Sequence, residues 1–155
     1  MEFKLISDGP ILNIEVVYIP EEYSFTARML DGTTLYSGGS SILINDLQLE
    51  IDQSGLIEHA WGLCPYTRWE PTMLLPPEGL KGQLVVDIGK EILPGCSYEL
   101  ANGWPVYVNR EKGWVCIGDI SSKGEKAIEF ARDSIAVFES DTLKAIWLRP
   151  KELDV

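Results

Sequence analysis

Residues 44–63 read INDLQLEIDQSGLIEHAWGL. Leu47, Leu49 and Ile51 alternate with polar residues, so the apolar side chains recur with a period of two. That period is typical of a β-strand that buries one face and exposes the other. A Gln-Ser-Gly turn follows, and residues 56–63 carry a second strand pattern. We therefore predict a β-hairpin whose first strand has an acidic, solvated outer face.

Short strand signals separated by tight turns recur along the rest of the chain. Further strands are predicted over residues 2–6, 11–19, 22–30, 83–88, 104–108 and 114–118, with a hairpin at Asp31-Gly32 and a loop over residues 37–41. This pattern predicts a mainly β fold, an antiparallel β-sandwich or a partly open barrel of about ten short strands with at most one or two short helices. A chain of 155 residues is most simply a single β-rich domain spanning residues 1–155.

The last third of the chain fits two interpretations. Ser122 and Glu125 have the spacing of a capping box, which predicts a helix over residues 127–138. The alternative is three strands, over residues 127–131, 134–139 and 143–149. β-Branched and aromatic residues dominate the second and third of these segments, so we predict strands.

The chain is acidic, and its charge is unevenly distributed. Twenty-four Asp and Glu residues against 13 Lys and Arg residues give a formal net charge of −11 at pH 7. Residues 1–75 carry 11 acids and 3 bases, so most of the excess lies in that half. This charge disfavours binding to nucleic acid or to an anionic membrane and favours a basic protein partner. Because no apolar run approaches the ~20 residues of a membrane helix and the N-terminus has no signal-peptide pattern, we expect a cytoplasmic protein.

Few residues suggest catalysis. His59 is the only histidine, and the three cysteines have no CxxC spacing. None of the common nucleotide-binding, hydrolase or zinc-protease motifs occurs. We therefore expect no catalytic residue, no metal site and no cofactor. If the protein instead has a pocket, as a small-molecule-binding protein or a hydrolase, we expect Glu58 and His59 in it.

Residues 63–79, LCPYTRWEPTMLLPPEG, combine four prolines with many large apolar and aromatic residues. Proline excludes an interior strand or an unbroken helix here. Two interpretations compete: the apolar residues plug an open end of the sandwich, or the run forms a stiff exposed platform for a partner. The two are compatible if the run divides into an inward and an outward set. The inward set would be Leu74 and Leu75, and the outward set Tyr66, Arg68 and Trp69.

The leading hypothesis is a non-enzymatic protein-binding module that binds and neutralises a basic protein, in the manner of an inhibitor or an immunity protein. Its predicted partner-binding residues are Asp46, Glu50 and Asp52 for electrostatic steering and Tyr66, Arg68 and Trp69 for contact. One alternative is the small-molecule-binding protein or hydrolase with its pocket near residues 63–79. Another is a structural subunit of a homo-oligomer.

Overall fold

The computed structural model describes residues 1–6, 9–33, 35–36, 39–124 and 126–155. These residues form many short strands and two single-turn 3₁₀ helices, which confirms the predicted mainly β fold. The strands are β1 (Glu2–Ile6), β2 (Ile14–Ile19), β3 (Ser24–Met29), β4 (Ser40–Ile44), β5 (Leu47–Ile51), β6 (Ile57–Leu63), β7 (Glu70–Pro71), β8 (Leu80–Lys81), β9 (Gln83–Asp87), β10 (Ser97–Ala101), β11 (Val106–Asn109), β12 (Trp114–Gly118), β13 (Lys126–Ala131), β14 (Ser134–Glu139) and β15 (Thr142–Leu148). The 3₁₀ helices span Pro20–Glu22 and Tyr66–Arg68.

The strands form two large sheets and one small one. The six-stranded sheet has the order β10-β4-β5-β6-β3-β2, and the seven-stranded sheet has the order β7-β11-β12-β15-β14-β13-β8. β1 and β9 form a separate two-stranded sheet. Most neighbours are antiparallel, and the parallel pairs β10–β4, β11–β7 and β13–β8 lie at sheet edges. Segments distant in sequence therefore close the edges of both large sheets, because a parallel pair needs a long connection.

The two large sheets pack face to face around one core. Ile42 and Leu49 from the six-stranded sheet belong to the same buried cluster as Ile117 and Ile146 from the seven-stranded sheet. All four are at most 1% exposed. Each such side chain contributes about 1.5–3 kcal/mol through its removal from water. The predicted β-sandwich is thus the architecture of the described residues.

The hairpin predicted from residues 44–63 is confirmed. β5 pairs antiparallel with β6, with Leu49 opposite Ala60. β4 pairs with the other edge of β5 through a tight turn at Asn45, whose φ of 55° is left-handed and suits asparagine. The register of β5 and β6 shifts at Glu50. This shift matters for the site, because it changes which side chains of β6 face outward.

Strands, and not a helix, occupy residues 127–138, as predicted. β13 and β14 form a hairpin whose turn includes Asp133 at a left-handed φ of 57°. Phe138 packs into the core between the sheets, while its neighbour Val137 packs into a second apolar cluster on the opposite face. Both faces of β14 are buried, so alternating side chains find apolar partners that a helix could not give them.

The hairpin predicted at Asp31-Gly32 is wrong. β3 pairs with β2 and β6, and neither Thr33 nor residues 35–36 belong to a strand; Thr34 lies outside the described residues. The Asp31 carboxylate instead accepts a hydrogen bond from the backbone N–H of Thr33, at 2.8 Å. This local turn and the occupied edges of β3 leave the segment without a strand to pair with.

The loop predicted over residues 37–41 is wrong at its described C-terminal end. Ser40 and Ser41 begin β4 and are at most 2% exposed. The Ser40 hydroxyl donates to the carbonyl of Leu93 at 2.7 Å, so the strand start is polar and satisfied. Ser37 and Gly38 lie outside the described residues.

Residues 72–79 connect the two opposite edges of the seven-stranded sheet. β7 is at one edge and β8 at the other, so the connection crosses five strands. Six inter-strand spacings amount to about 29 Å, and the nine steps from Pro71 to Leu80 reach about 30 Å when extended. The segment is therefore nearly taut, and Pro76 and Pro77 favour the extended backbone that it needs. We call residues 72–79 the strap.

The strap lies against the outer face of the seven-stranded sheet. At its start, the side-chain amide of Asn109 donates to the carbonyl of Leu74 at 3.0 Å. At its end, a Cβ added to Gly79 would lie 3.6 Å from Cγ1 of Ile135. Ile135 belongs to the second apolar cluster, which also includes Trp147 at 1% exposure. The strap thus runs across a second buried layer, so part of the proline-rich run of residues 63–79 packs on the outer face of this sheet and not on the open end of the sandwich.

Candidate functional site

A cavity of about 230 Å³ lies at one end of the sandwich, between the two large sheets. Its floor includes Ile44 and Leu47 of the six-stranded sheet and Val106 and Ile117 of the seven-stranded sheet. Ile44, Leu47 and Ile117 are at most 1% exposed, so the cavity reaches the core. Pockets for drug-sized ligands hold roughly 300–1,000 Å³. This cavity therefore suits one inserted side chain or a small molecule.

Three connections form the mouth of the cavity. The β4–β5 turn contributes Asp46, the segment between β6 and β7 contributes Arg68, and the segment between β10 and β11 contributes Asn102 and Trp104. Asp46, Arg68 and Asn102 are exposed, and Trp104 is half-buried. One carboxylate, one guanidinium group and one indole thus surround an apolar floor.

Asn45 fixes the position of Trp104. Its side-chain amide donates to the carbonyl of Trp104 at 2.9 Å, and its side-chain oxygen accepts from the backbone N–H of Trp104 at 2.9 Å. The Trp104 ring also packs close to Gly118, where an added Cβ would lie 2.9 Å from the ring atom Cε3. These contacts tie two of the three connections together, so this part of the mouth is preorganised.

Trp69 anchors the segment that carries Arg68. Trp69 is 7% exposed and packs against Tyr18 and Phe25, with ring centroids 4.7 and 6.0 Å apart. The Tyr18 hydroxyl donates to the carbonyl of Cys64 at 2.7 Å and accepts from the backbone N–H of Tyr66 at 3.0 Å. The expected outward position of Trp69 is therefore wrong, because its indole completes the core beside the 3₁₀ helix.

The inward and outward sets of the proline-rich run are largely reversed. Trp69 points inward, whereas Leu74 and Leu75 are 51% and 53% exposed. Tyr66 is half-buried and stacks on Tyr23 with ring centroids 5.7 Å apart. Met73 is also exposed, at 73%, so three consecutive side chains of the strap face solvent.

Asp46 and Arg68 lie outside the ion pairs of the described residues. The ion pairs of the described residues join Glu15 to Arg28 and Lys151, and Asp133 to Arg132 and Arg149. Neither Asp46 nor Arg68 takes part in them. Opposite charges without an internal partner at one mouth can therefore each pair with a group of a ligand.

Cys64 lines the cavity, but it is poorly suited to nucleophilic catalysis. Burial raises the pKa of its thiol to about 12. The thiolate is the reactive form of cysteine, and at neutral pH this thiol stays protonated. Cys64 therefore acts as part of the apolar wall.

A second group of polar residues lies on the outer face of β5 and β6. Glu50 is 3% exposed, accepts from the Trp61 indole N–H at 2.9 Å and accepts from the backbone N–H of Gly39 at 3.0 Å. The expected solvated acidic face is therefore wrong at Glu50, because residues near Gly39 and Trp61 cover it. We call Glu50 and Trp61, together with Glu58 and His59 that precede Trp61 in β6, the polar layer.

The predicted pocket residues Glu58 and His59 belong to the polar layer and do not line the end cavity. His59 is fully buried, and burial lowers its pKa to about 4. Burial, with Asp52 and Glu50 nearby, raises the pKa of Glu58 above its usual value. Asp52 is half-buried and accepts from the backbone N–H groups of Ser54 and Leu56, which shapes the β5–β6 turn.

The structure thus brings together two of the six predicted partner-binding residues, Asp46 and Arg68. The sequence reasoning did not single out Asn45 or Trp104 as site residues. Trp104 follows an Asn-Gly pair in the sequence, and a large aromatic residue beside a turn was the signal for a site at a loop.

Comparison with known protein families, curated proteins and solved structures finds no match. Across the described ranges, no helix is long and apolar enough to cross a membrane. Within the same residues, no group of three or more His, Cys, Asp or Glu side chains is arranged to hold a metal ion.

Proposed function

We propose that this protein is a non-enzymatic binding module and that the end cavity receives a side chain of a basic protein partner. One observation carries the proposal: a small cavity reaches the core and has the unpaired carboxylate of Asp46 at its mouth. Binding energy in protein interfaces concentrates where an anchor side chain fills such a pocket.

The charge of the chain supports a basic partner. The net charge is −11, and residues 1–75, which include Asp46, carry most of the excess acid. A field of this sign accelerates the encounter with a basic protein, and the cavity then supplies the specific contact. The same logic describes an inhibitor or immunity protein that neutralises a basic protein in the cytoplasm.

The chemistry of the buried groups gives the hydrolase alternative less support. The only histidine lies in the polar layer, and burial lowers its pKa to about 4. The cavity thiol has its pKa raised to about 12. A nucleophile and a base within reach of each other are needed for that chemistry, whereas binding needs only the cavity.

A peptide titration followed by ¹H–¹⁵N NMR tests the proposal. The probes are N-acetylated, C-amidated Gly-Lys-Gly, Gly-Glu-Gly and Gly-Leu-Gly. The lysine peptide is expected to change the chemical shifts of the backbone amides of Asp46, Gly103 and Trp104. The Asp46→Asn variant is expected to bind this peptide about fivefold more weakly, which is the upper range for an exposed ion pair. Asp154→Asn changes the charge equally away from the cavity and should leave the affinity unchanged.

The proposal fails if the leucine or glutamate peptide shifts the cavity amides as strongly as the lysine peptide does. It also fails if the lysine peptide shifts amides scattered over the surface, or if Asp46→Asn and Asp154→Asn weaken it equally. Those results would assign the interaction to net charge and not to the cavity.

A further inference from the structure

Arg68 is not explained by a purely cationic anchor. A lysine or arginine side chain that entered the cavity would meet the Asp46 carboxylate, but it would also meet the like charge of Arg68 at the same mouth. Like charges at an interface oppose binding. A negative group on the ligand, paired with Arg68, would offset this repulsion.

We infer that the end cavity recognises a zwitterionic group, in which a cation and a carboxylate are separated by an apolar chain. The cation pairs with Asp46, the carboxylate pairs with Arg68, and the apolar chain lies over the floor that includes Leu47 and Ile117. This inference rests on the proposed function and specifies the chemistry of the anchor.

The separate origins of the two charges support this chemistry. Asp46 lies on the tight turn between β4 and β5, and Arg68 lies at the end of a 3₁₀ helix whose next residue, Trp69, is buried in the core. The mouth therefore holds its two charges on different, individually anchored elements. A ligand that bridges them gains two charge-assisted contacts.

Two sources supply such a group. One is a free small zwitterion, and the other is the C-terminal residue of a basic protein, where the side-chain cation of lysine and the terminal carboxylate flank an aliphatic chain. Both present the same chemistry to Asp46 and Arg68, and the experiment separates them.

The first arm compares 6-aminohexanoate with hexylamine and hexanoate by NMR titration of the intact protein. The three probes share the apolar chain and differ only in their charges. We expect 6-aminohexanoate to bind about fivefold more tightly than either single-charge probe, the upper range for one exposed ion pair. The shorter 3-aminopropanoate and the longer 8-aminooctanoate then measure the separation that the mouth prefers.

The second arm uses two exposed-residue variants. In Asp46→Asn, 6-aminohexanoate should bind no more tightly than hexanoate, and in Arg68→Gln no more tightly than hexylamine. Circular dichroism and unfolding in urea confirm that each variant is folded. A third arm compares N-acetylated Gly-Gly-Lys carrying a free C-terminus with its C-terminal amide. Preference for the free acid assigns the group to a protein C-terminus. Binding of 6-aminohexanoate but of neither peptide assigns the group to a free zwitterion, and the proposed protein partner is then wrong although the zwitterion site stands.

Two outcomes overturn the inference, and they differ in whether the proposed function also fails. If hexylamine binds as tightly as 6-aminohexanoate and Arg68→Gln changes neither, the zwitterion is wrong and the cationic anchor of the proposed function stands. If none of the probes shifts the cavity amides, the cavity is not a binding site, and both the inference and the proposed function fail.

Discussion

The cavity mouth and the polar layer differ in how their charged residues are satisfied, although Asp46 of the mouth and Glu50 of the polar layer are only four residues apart. Asp46 lies at the mouth, exposed and outside every ion pair of the described residues. Glu50, four residues later, is buried and accepts hydrogen bonds from Trp61 and Gly39. A carboxylate with internal donors contributes to stability, while one without them at a cavity is available to a ligand.

The largest expected effect is on the free energy of unfolding, from a substitution of Trp69. Trp69 lies in the core, whereas its neighbour Arg68 lies at the cavity mouth. Trp69→Ala removes an indole that packs against Tyr18 and Phe25, so we expect it to lower the free energy of unfolding by about 3–5 kcal/mol. Urea denaturation measures this loss. Arg68→Ala is the control and should stay within about 0.5 kcal/mol of the wild type. Equal stabilities of the two variants would place Trp69 with Arg68 outside the core.

The next effect is a pH dependence that comes from His59. Its pKa is about 4 in the folded protein and about 6.5 when unfolded, because burial disfavours the charged form. Between these values the unfolded chain binds the extra proton, so stability falls as the pH is lowered from about 6.5 towards 4, by up to about 3 kcal/mol. The raised pKa of Glu58 acts in the opposite direction and therefore reduces the net slope.

Comparison of the wild type with His59→Gln separates the contribution of His59 to the pH dependence from that of Glu58, because Glu58 is present in both proteins. Urea denaturation at several pH values should show the wild type losing stability relative to His59→Gln as the pH falls below about 6.5, with no further divergence below about 4. Parallel curves for the two proteins would mean that His59 is solvated in the folded state, and the polar layer would then be open.

A smaller effect is expected at Glu50. Glu50→Ala leaves the indole N–H of Trp61 and the backbone N–H of Gly39 without the carboxylate that they donate to. We expect a loss of about 1–3 kcal/mol in the free energy of unfolding, the cost of buried donors left unsatisfied. Asp46→Ala removes the same kind of group at the mouth and should cost less than about 0.5 kcal/mol. Similar losses for both would remove the distinction between the two regions.

The strands themselves were accessible from the sequence, because period-two alternation and turn residues are local signals. The β5–β6 hairpin and the strands over residues 126–148 follow from such signals. The order of strands was not accessible, because β7 and β8 have two residues each and the strap that joins them crosses the whole sheet. A strand of two residues is too short to give a recognisable sequence pattern.

The sequence could identify some of the cavity residues but not the cavity itself. Asp46 and Arg68 were selected by residue type, but their meeting depends on three connections that approach through sheet topology. Glu50 and Trp69 were misplaced because the burial of each depends on contacts with other strands and segments, which a local sequence pattern does not reveal. Both are covered by neighbouring groups, Glu50 beneath Gly39 and Trp61, and Trp69 against Tyr18 and Phe25.

NMR titration of acetyl-Gly-Lys-Gly-amide into Asp46→Asn and into Glu50→Gln, side by side, decides whether the cavity mouth or the polar layer is the binding surface. We predict that Asp46→Asn binds the peptide about fivefold more weakly than the wild type, whereas Glu50→Gln binds it as tightly as the wild type does. Weaker binding by Glu50→Gln with unchanged binding by Asp46→Asn would contradict it, because the polar layer and not the cavity mouth would then be the binding surface.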